Sequence, residues 1–314
     1  MRPAPLKLWT ALLTVYLVWG STYLAIKISV RTLPPLLSAG ARFLAAGILL
    51  AAIVDLSGRS LRVSRRQLLS SAAAGTMLLT LGVGVVTLSE TRIDSSIAAM
   101  IAGSVPLQVV ALRLLARERV AVATRLAAAA GLGGLALIVV PGGASGGSSA
   151  IGLALMLGAS MSWSTGSFVS RRLDLPPDPF VATAYEMLAG GGALVALALA
   201  VGEGVRGVDA STASVAAWAY LVLAGSLVGF TAYAWLLRNA PISQVVTHQY
   251  ANPIVALALG TLLLGERLAA VALAGAAVVL VAVFVTVRRE ARPPQGREVA
   301  RGDAERAEAA EQAA

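Results

Sequence analysis

The sequence predicts an all-α integral membrane protein of ten transmembrane helices, built as two inverted five-helix repeats. Three observations carry that expectation. Of the 314 residues, 57% are hydrophobic and 13% charged, and the mean hydropathy is +0.79, well outside the range of soluble domains. Apolar runs of the roughly 20 residues needed to cross a hydrocarbon core recur from Leu8 to the region of Val287. Finally, the second half of the chain restates the first at a nearly constant offset.

In chain order the spans are 8–28, 36–55, 67–89, 95–115, 122–141, 150–170, 180–201, 215–237, 242–264 and 268–287. Each is bounded by a turn or charge signal. The first two are separated by "LPPLL", the second and third by "SGRSLRVSRR", and the third and fourth by "ETRIDSS". "ARERVAVATR" precedes the fifth, and "PGGASGGSS" divides the halves. The remaining joints are "RRLDLPPDP", "GEGVRGVD", "RNAP" and "GERL". The basic start and apolar run of the first span also suit a cleaved signal peptide. That run continues to Ile26, however, and has a repeat partner in the sixth span, so a retained helix is expected.

The net charge of +9 reads as topology, with no nucleic-acid partner, because the basic residues cluster in short loops. With the N-terminus inside, thirteen basic residues, among them Arg59, Arg62, Arg113, Arg171 and Arg172, fall in cytoplasmic loops. Only Lys27, Arg31, Arg92, Arg206 and Arg267 fall outside. Both termini are therefore expected in the cytoplasm, in a bacterial-type inner membrane. The tail 288–314, Ala/Glu/Arg-rich, is expected to be disordered, with Arg288, Arg289 and Arg292 near lipid headgroups. There is no cysteine and one histidine, His248. This removes disulfides, thiol nucleophiles, haem attachment and Cys/His metal sites, and no cofactor is implied.

A shift of 144 aligns Trp19 with Trp163, Pro35 with Pro179 and Gly47 with Gly191. A shift of 147 aligns Gly82 with Gly229, Ser96 with Ser243 and Pro106 with Pro253. With one residue deleted, Glu118-Arg119 falls on Glu266-Arg267. Five spans per repeat is an odd number, so the second copy enters the membrane inverted. Inverted repeats are an architecture of alternating-access transporters that hold substrate near the midplane. The repeats are expected at 8–141 and 150–287.

"WGSTYLAIKISV", "PPLLSAGARFLAAGILL", "YEMLAGGG" and "LLRNAPISQVVTHQYANPIVALALGTLLLGERL" resemble the EamA family of the drug/metabolite transporter superfamily, most closely its YedA-type inner-membrane members. The resemblance covers about Trp9 to Thr286. It implies ten helices, a central cavity walled by helices 1 to 4 and 6 to 9, helices 5 and 10 at the periphery, and export of amino acids, metabolites or drug-like solutes without a nucleotide. The first repeat departs from the pattern at its exit, where "LLARERV" replaces "LLLGERL" and the glycine is absent.

Several residues are candidates for function. Glu186 is a carboxylate seven residues into an apolar run, and its repeat partner is Arg42. A charge at helix depth costs a few kcal/mol unless it meets water, a partner or the bundle interior. Inversion puts these two at depths differing by roughly 10 Å or more, against direct contact. His248 is level with Glu186, and a Glu/His pair on one wall is a candidate proton-coupling site. A histidine bonded to a neighbouring helix is the alternative.

"THQYANP", 247–253, offers Gln249, Tyr250 and Asn252 to a polar solute, with Pro253, like Pro106, breaking the helix. Interhelical hydrogen bonding is the other use of such groups. Trp19, Ser21 and Tyr23 in the first repeat, and Trp163 and Thr165 in the second, are expected on a cavity wall. Glu90 is expected to cap its helix or pair with Arg92. The implied partners are a small-molecule substrate and the bilayer; monomer and homodimer both stay open. So do proton antiport and facilitated diffusion. A lipid-carrier flippase of the same fold is an alternative. An intramembrane enzyme is disfavoured, since the usual catalytic constellations are missing.

Overall fold

The computed structural model describes residues 5–139, 149–204, 208–240, 242–245 and 247–290, and every regular element among them is helical. The expected tail lies outside the described residues beyond residue 290. The first half contains α1 (Pro5–Ser29), α2 (Pro35–Leu56), α3 (Arg65–Gly75), α4 (Val85–Ser89), α5 (Ser95–Ala102), α6 (Val105–Leu115) and α7 (Val122–Val139). The second contains α8 (Ala150–Ser170), α9 (Pro179–Ala200), α10 (Thr212–Tyr220), α11 (Gly229–Asn239), α12 (Ile242–Val245), α13 (His248–Leu264) and α14 (Ala270–Glu290). A π-helical stretch, Thr76–Gly84, joins α3 to α4 without interruption, and another, Leu221–Val228, joins α10 to α11.

Among the described residues, eight helices are long and apolar enough to cross a membrane. The other two expected spans do form helices, and what sets them apart is polarity and length. α8 carries Ser160, Ser162, Ser164, Thr165, Ser167 and Ser170. α13 has 17 residues and opens on His-Gln-Tyr-Ala-Asn. Large apolar side chains such as Leu17, Ile48, Ile53, Leu262 and Val281 lie on the outer surface, mostly half or more exposed. This is the reverse of a soluble protein and suits a surface wetted by lipid.

Two expected spans are broken. The fourth divides at Gly103–Ser104 into α5 and α6, because the Pro106 ring cannot accommodate the carbonyl four residues earlier and supplies no N–H. The ninth divides between α12 and α13. The two broken spans meet in the interior, where a Cβ on Gly103 would lie 2.8 Å from the Pro253 ring.

Packing pairs elements across the halves. α2 lies along α9, α7 along α14, α1 against α13 and α11, and α8 against the π stretch and α4. The α7–α14 contact depends on glycine. A Cβ on Gly134 would sit 2.8 Å from the Gly275 carbonyl oxygen, and one on Gly275 2.6 Å from that of Gly134. Small residues bring helix backbones together where no hydrophobic force between helices is available.

The exits of the two halves are alike in backbone despite their different sequences. Gly265 ends α13 with φ +67°, and Arg117, at the matching place after α6, holds φ +57°. The glycine missing from the first repeat is thus replaced by an arginine forced into the left-handed region, at a cost of about 1 kcal/mol.

Candidate functional site

The two ends of the bundle differ. One end carries Arg113, Arg171 and Arg172, and is called the arginine end. The other carries Lys27, Glu90 and Glu266, and is called the Glu266 end.

A cavity of about 720 Å³ runs inward from the arginine end. Its mouth is bounded by Arg113, Arg171 and the Leu175–Pro176–Pro177 turn, and Glu186 stands on its wall. It narrows at Trp19, Val105, Trp163, Phe230, His248 and Gln249, which it shares with a smaller cavity of about 130 Å³. The smaller one extends along Tyr23, Ile26 and Val86 and reaches the Arg42 side chain.

The two tryptophans form the waist. Helical geometry puts residues three and four apart on one face. Trp19, Thr22, Tyr23 and Ile26 line the smaller cavity from α1, as do Met156, Ala159, Ser160 and Trp163 from α8. Each tryptophan lies against a glycine of the other half: a Cβ on Gly82 would be 3.2 Å from the Trp163 ring, and one on Gly229 would collide with Trp19 Nε1. Trp19 Nε1 donates to the Gly225 carbonyl at 3.2 Å. Its ring meets Phe230, Tyr233 and His248 at centroid distances of 5.2, 5.0 and 5.3 Å.

Other expected residues fall in different places. Ser21 is on the opposite face of α1, bonded to the Tyr220 hydroxyl at 2.6 Å, and lines neither cavity. Thr165, two residues beyond Trp163, is likewise turned away and bonds the Met161 carbonyl at 2.8 Å. Tyr250 faces α14, with its ring 6.1 Å from that of Phe284. In all three, the rotation of about 100° per residue carries the side chain off the cavity face. Asn252 remains on the wall, with its buried Oδ1 unpartnered among the described residues. Pro253 lines the smaller cavity and Pro106 the larger.

Glu186 and His248 share the larger cavity, but no hydrogen bond joins them among the described residues. His248 Nδ1 bonds the Val245 carbonyl at 2.8 Å, and the ring stacks edge-on against Trp19 and Tyr233. Arg42 lines the smaller cavity and Glu186 the larger. Arg42 is 4% exposed, its Nε donates to Ser226 Oγ at 2.9 Å, and its guanidinium lies 4.9 Å from the Phe43 ring centroid. It makes no ion pair among the described residues, which leaves a positive charge on the wall of the smaller cavity.

Sequence reasoning passed over Gln108. Its Nε2 donates to Ser104 and Ser160 hydroxyls at 2.9 and 3.0 Å, and its Oε1 accepts from Ser164 at 2.8 Å. These bonds lock α6 to α8 beside the cavity. The serines of α8 gave the available signal, since polar groups in a span need partners.

The Glu266 end is held together by polar contacts. The Glu266 carboxylate accepts from the backbone N–H groups of Ser95 and Ser96 at 2.9 and 3.0 Å, and from both hydroxyls, that of Ser95 at 2.7 Å. It therefore caps α5 from the other half of the chain, a task that Asp94, the residue preceding the helix, leaves undone. Lys27 Nζ donates to the carbonyls of Glu90 and Ile93 at 2.8 and 2.6 Å. Glu90 stands at the C-cap position of α4, where its backbone N–H bonds the Val86 carbonyl, but its carboxylate neither caps a helix nor pairs with Arg92 among the described residues. It is fully buried, and neither carboxylate oxygen has a partner among the described residues.

A family model describing the EamA-like transporter family matches residues 7–140 and again 150–288. The chain belongs to the EamA-like transporter family. It is accordingly a multi-pass membrane transporter. It is 38% identical over 284 residues to the uncharacterized inner membrane transporter YedA of Escherichia coli K12, covering 90% of this chain and 91% of that one. The WAT1-related protein At3g02690, chloroplastic, of Arabidopsis thaliana is 28% identical over 285 residues, covering 88% and 68%. The uncharacterized transporter YoaV of Bacillus subtilis is 24% identical over 284 residues, covering 89% and 96%. A crystal structure at 21% identity covers 91% of this chain and 99% of its own, with a TM-score of 0.63, and shares this chain's fold.

Proposed function

We propose that this EamA-family chain is an inner-membrane secondary transporter that exports small metabolites, amino acids or drug-like solutes, by alternating access between two inverted five-helix repeats. The observation that carries this is the cavity itself: about 720 Å³ at one end, meeting a smaller cavity at paired tryptophans, with the Glu266–α5 hydrogen bonds lying at the other end of the bundle. The matching of Trp19–Gly229 with Trp163–Gly82 supports a pseudo-twofold relation between the halves, which is what lets one sequence make two gates. The positive-inside rule assigns the arginine end to the cytoplasm, so the cavity faces the side from which an exporter loads.

In this reading the aromatic waist of Trp19, Trp163 and Phe230 holds the apolar body of the solute. Gln249 and Asn252 offer hydrogen bonds, and Arg42 attracts a carboxylate or another electron-rich group from the far end. Glu186 stands where cytoplasmic water reaches it and can exchange a proton with that side. No covalent step is required of any of these groups. The 38% identical relative is itself named an inner membrane transporter, which agrees with this location.

The test is counterflow in proteoliposomes with a panel of amino acids and cationic drugs, with and without a pH gradient. An unlabelled solute on one side should drive uptake of its labelled form, and Arg42→Ala should abolish exchange of carboxylate-bearing solutes while the protein stays folded. Glu186→Gln should remove any pH dependence that enters from the cytoplasmic side. Absence of exchange with every member of the panel would contradict the transport of these solute classes.

A further inference from the structure

Glu90 is unexplained by the cavity. It follows α4 directly, lies one helical turn beyond the cavity residue Val86, and borders neither cavity. Its carboxylate is wholly shielded from solvent and has no hydrogen-bond partner among the described residues.

The neighbours that could neutralise it are committed elsewhere. From α1, Lys27 spends its ammonium on two backbone carbonyls, one of them that of Glu90 itself, and Tyr23 faces the smaller cavity. From α2, Arg42 is bonded to Ser226. Glu266, from the turn after α13, adds a second negative charge that is spent on α5. Asp94, on the same connection as Glu90, feels the charges of Glu266 and Lys27. α8, which also packs on α4, presents no titratable side chain. An ionised carboxylate without water or a donor is strongly disfavoured. A cation such as sodium would need several oxygen ligands, and the nearby Lys27 and Arg42 charges oppose one.

We propose that Glu90 holds a proton when the Glu266 end is closed, at pH values where it has lost that proton with the end open to water, so that closure in that window takes up one proton. The acid lies one turn beyond the cavity residue Val86, and Lys27 holds its carbonyl together with that of Ile93, two residues before the Glu266-capped Ser95, so opening this end would disturb the contacts around it. Linkage fixes the sign. A group that holds its proton more tightly in the closed form favours closure as pH falls from the closed-form value toward the ordinary carboxylate value. Above that window both forms are ionised, and the closed one bears the cost of a buried charge. The inference rests on the two-gate reading above but asks nothing about the solute.

The chain has no cysteine, so a single reporter can be placed without background. Ser29→Cys replaces a 2%-exposed serine at the end of α1, and Arg31→Cys, on the exposed connection that follows, controls for thiol ionisation. Labelling by a methanethiosulfonate reagent is compared, in the full chain in detergent without substrate, from about pH 5 to about pH 8. The normalised Ser29→Cys rate should rise with pH, by up to about tenfold per unit within the window. Adding Glu90→Gln, which imitates the protonated acid, should hold the rate flat at its low-pH value, and Glu90→Asp should keep the slope. A slope unchanged by Glu90→Gln, or a flat rate in the reporter with Glu90 intact, would overturn the proposal. Because labelling needs no flux, failed counterflow with a pH-dependent rate would sink the transport reading and leave the proton site standing.

Discussion

Glu118 and Glu266 occupy matching places in the two halves, each directly after a residue with left-handed backbone and each followed by arginine, yet they do different work. Glu266 is 8% exposed and accepts four hydrogen bonds from the first turn of α5. Glu118 lies at the surface and pairs with Arg113 at 2.8 Å and Arg172 at 2.7 Å. One carboxylate ties a helix of one half to the turn of the other. Its twin bonds Arg113, which borders the larger cavity, and Arg172. Matching places in the sequence thus hold one carboxylate bonded to a helix of the other half and one bonded to surface arginines, and the proposed two-gate reading rests on that asymmetry.

Substitution should show the contrast most strongly. Glu266→Ala strips two backbone donors and two hydroxyls of their acceptor in a buried place and should cost about 3 kcal/mol, read as a lowered thermal midpoint in detergent. Glu118→Ala should leave the midpoint near that of the parent, since water and salt already screen its partners. Equal effects would erase the comparison. Acid tests the Glu266 contact from another side. Burial pushes the Glu266 carboxyl up, but hydrogen bonds from Ser96 and Ser95 outweigh it and hold the group below the usual carboxylate range. Its stabilisation is therefore full above the unfolded-chain value and is lost as pH falls through the folded one. Glu266→Gln should flatten that acid limb of a stability profile.

A smaller effect sharpens the comparison from the backbone side. Gly265→Ala should cost about 1 kcal/mol, because a side chain at φ +67° enters the left-handed region. Arg117→Gly should gain about half as much, glycine's greater freedom in the unfolded chain offsetting part of the relief. Chemical denaturation midpoints would show the opposite signs, and two losses of similar size would contradict equivalent turns.

Much of this architecture was legible in the sequence, for a physical reason. Spans follow from the apolar length needed to cross lipid, and Trp19, Tyr23, Trp163, Gln249 and Asn252 stood out because large or polar groups within a span need a cavity or a partner. The helical face was harder to read. Ser21, Thr165 and Tyr250 lie within two residues of wall positions and point elsewhere, since the phase of a helix is set by what packs against it. Glu90 and Glu266 were misjudged or overlooked because their environment is assembled from residues over sixty to 170 positions away, such as Lys27 and Ser95. Local spacing carries no trace of such contacts.

The central claim is that one cavity is reached from either face in turn. Gln249 lines both its wide and narrow parts, and in a chain without native cysteine a Gln249→Cys variant isolates the question. In right-side-out and inside-out vesicles, a membrane-impermeant thiol reagent should modify that cysteine from both faces. The cytoplasmic face should react faster, and Glu90→Gln should suppress labelling from the outer face only. Modification from the cytoplasmic face alone, in vesicles that perform counterflow, would contradict alternating access through this cavity.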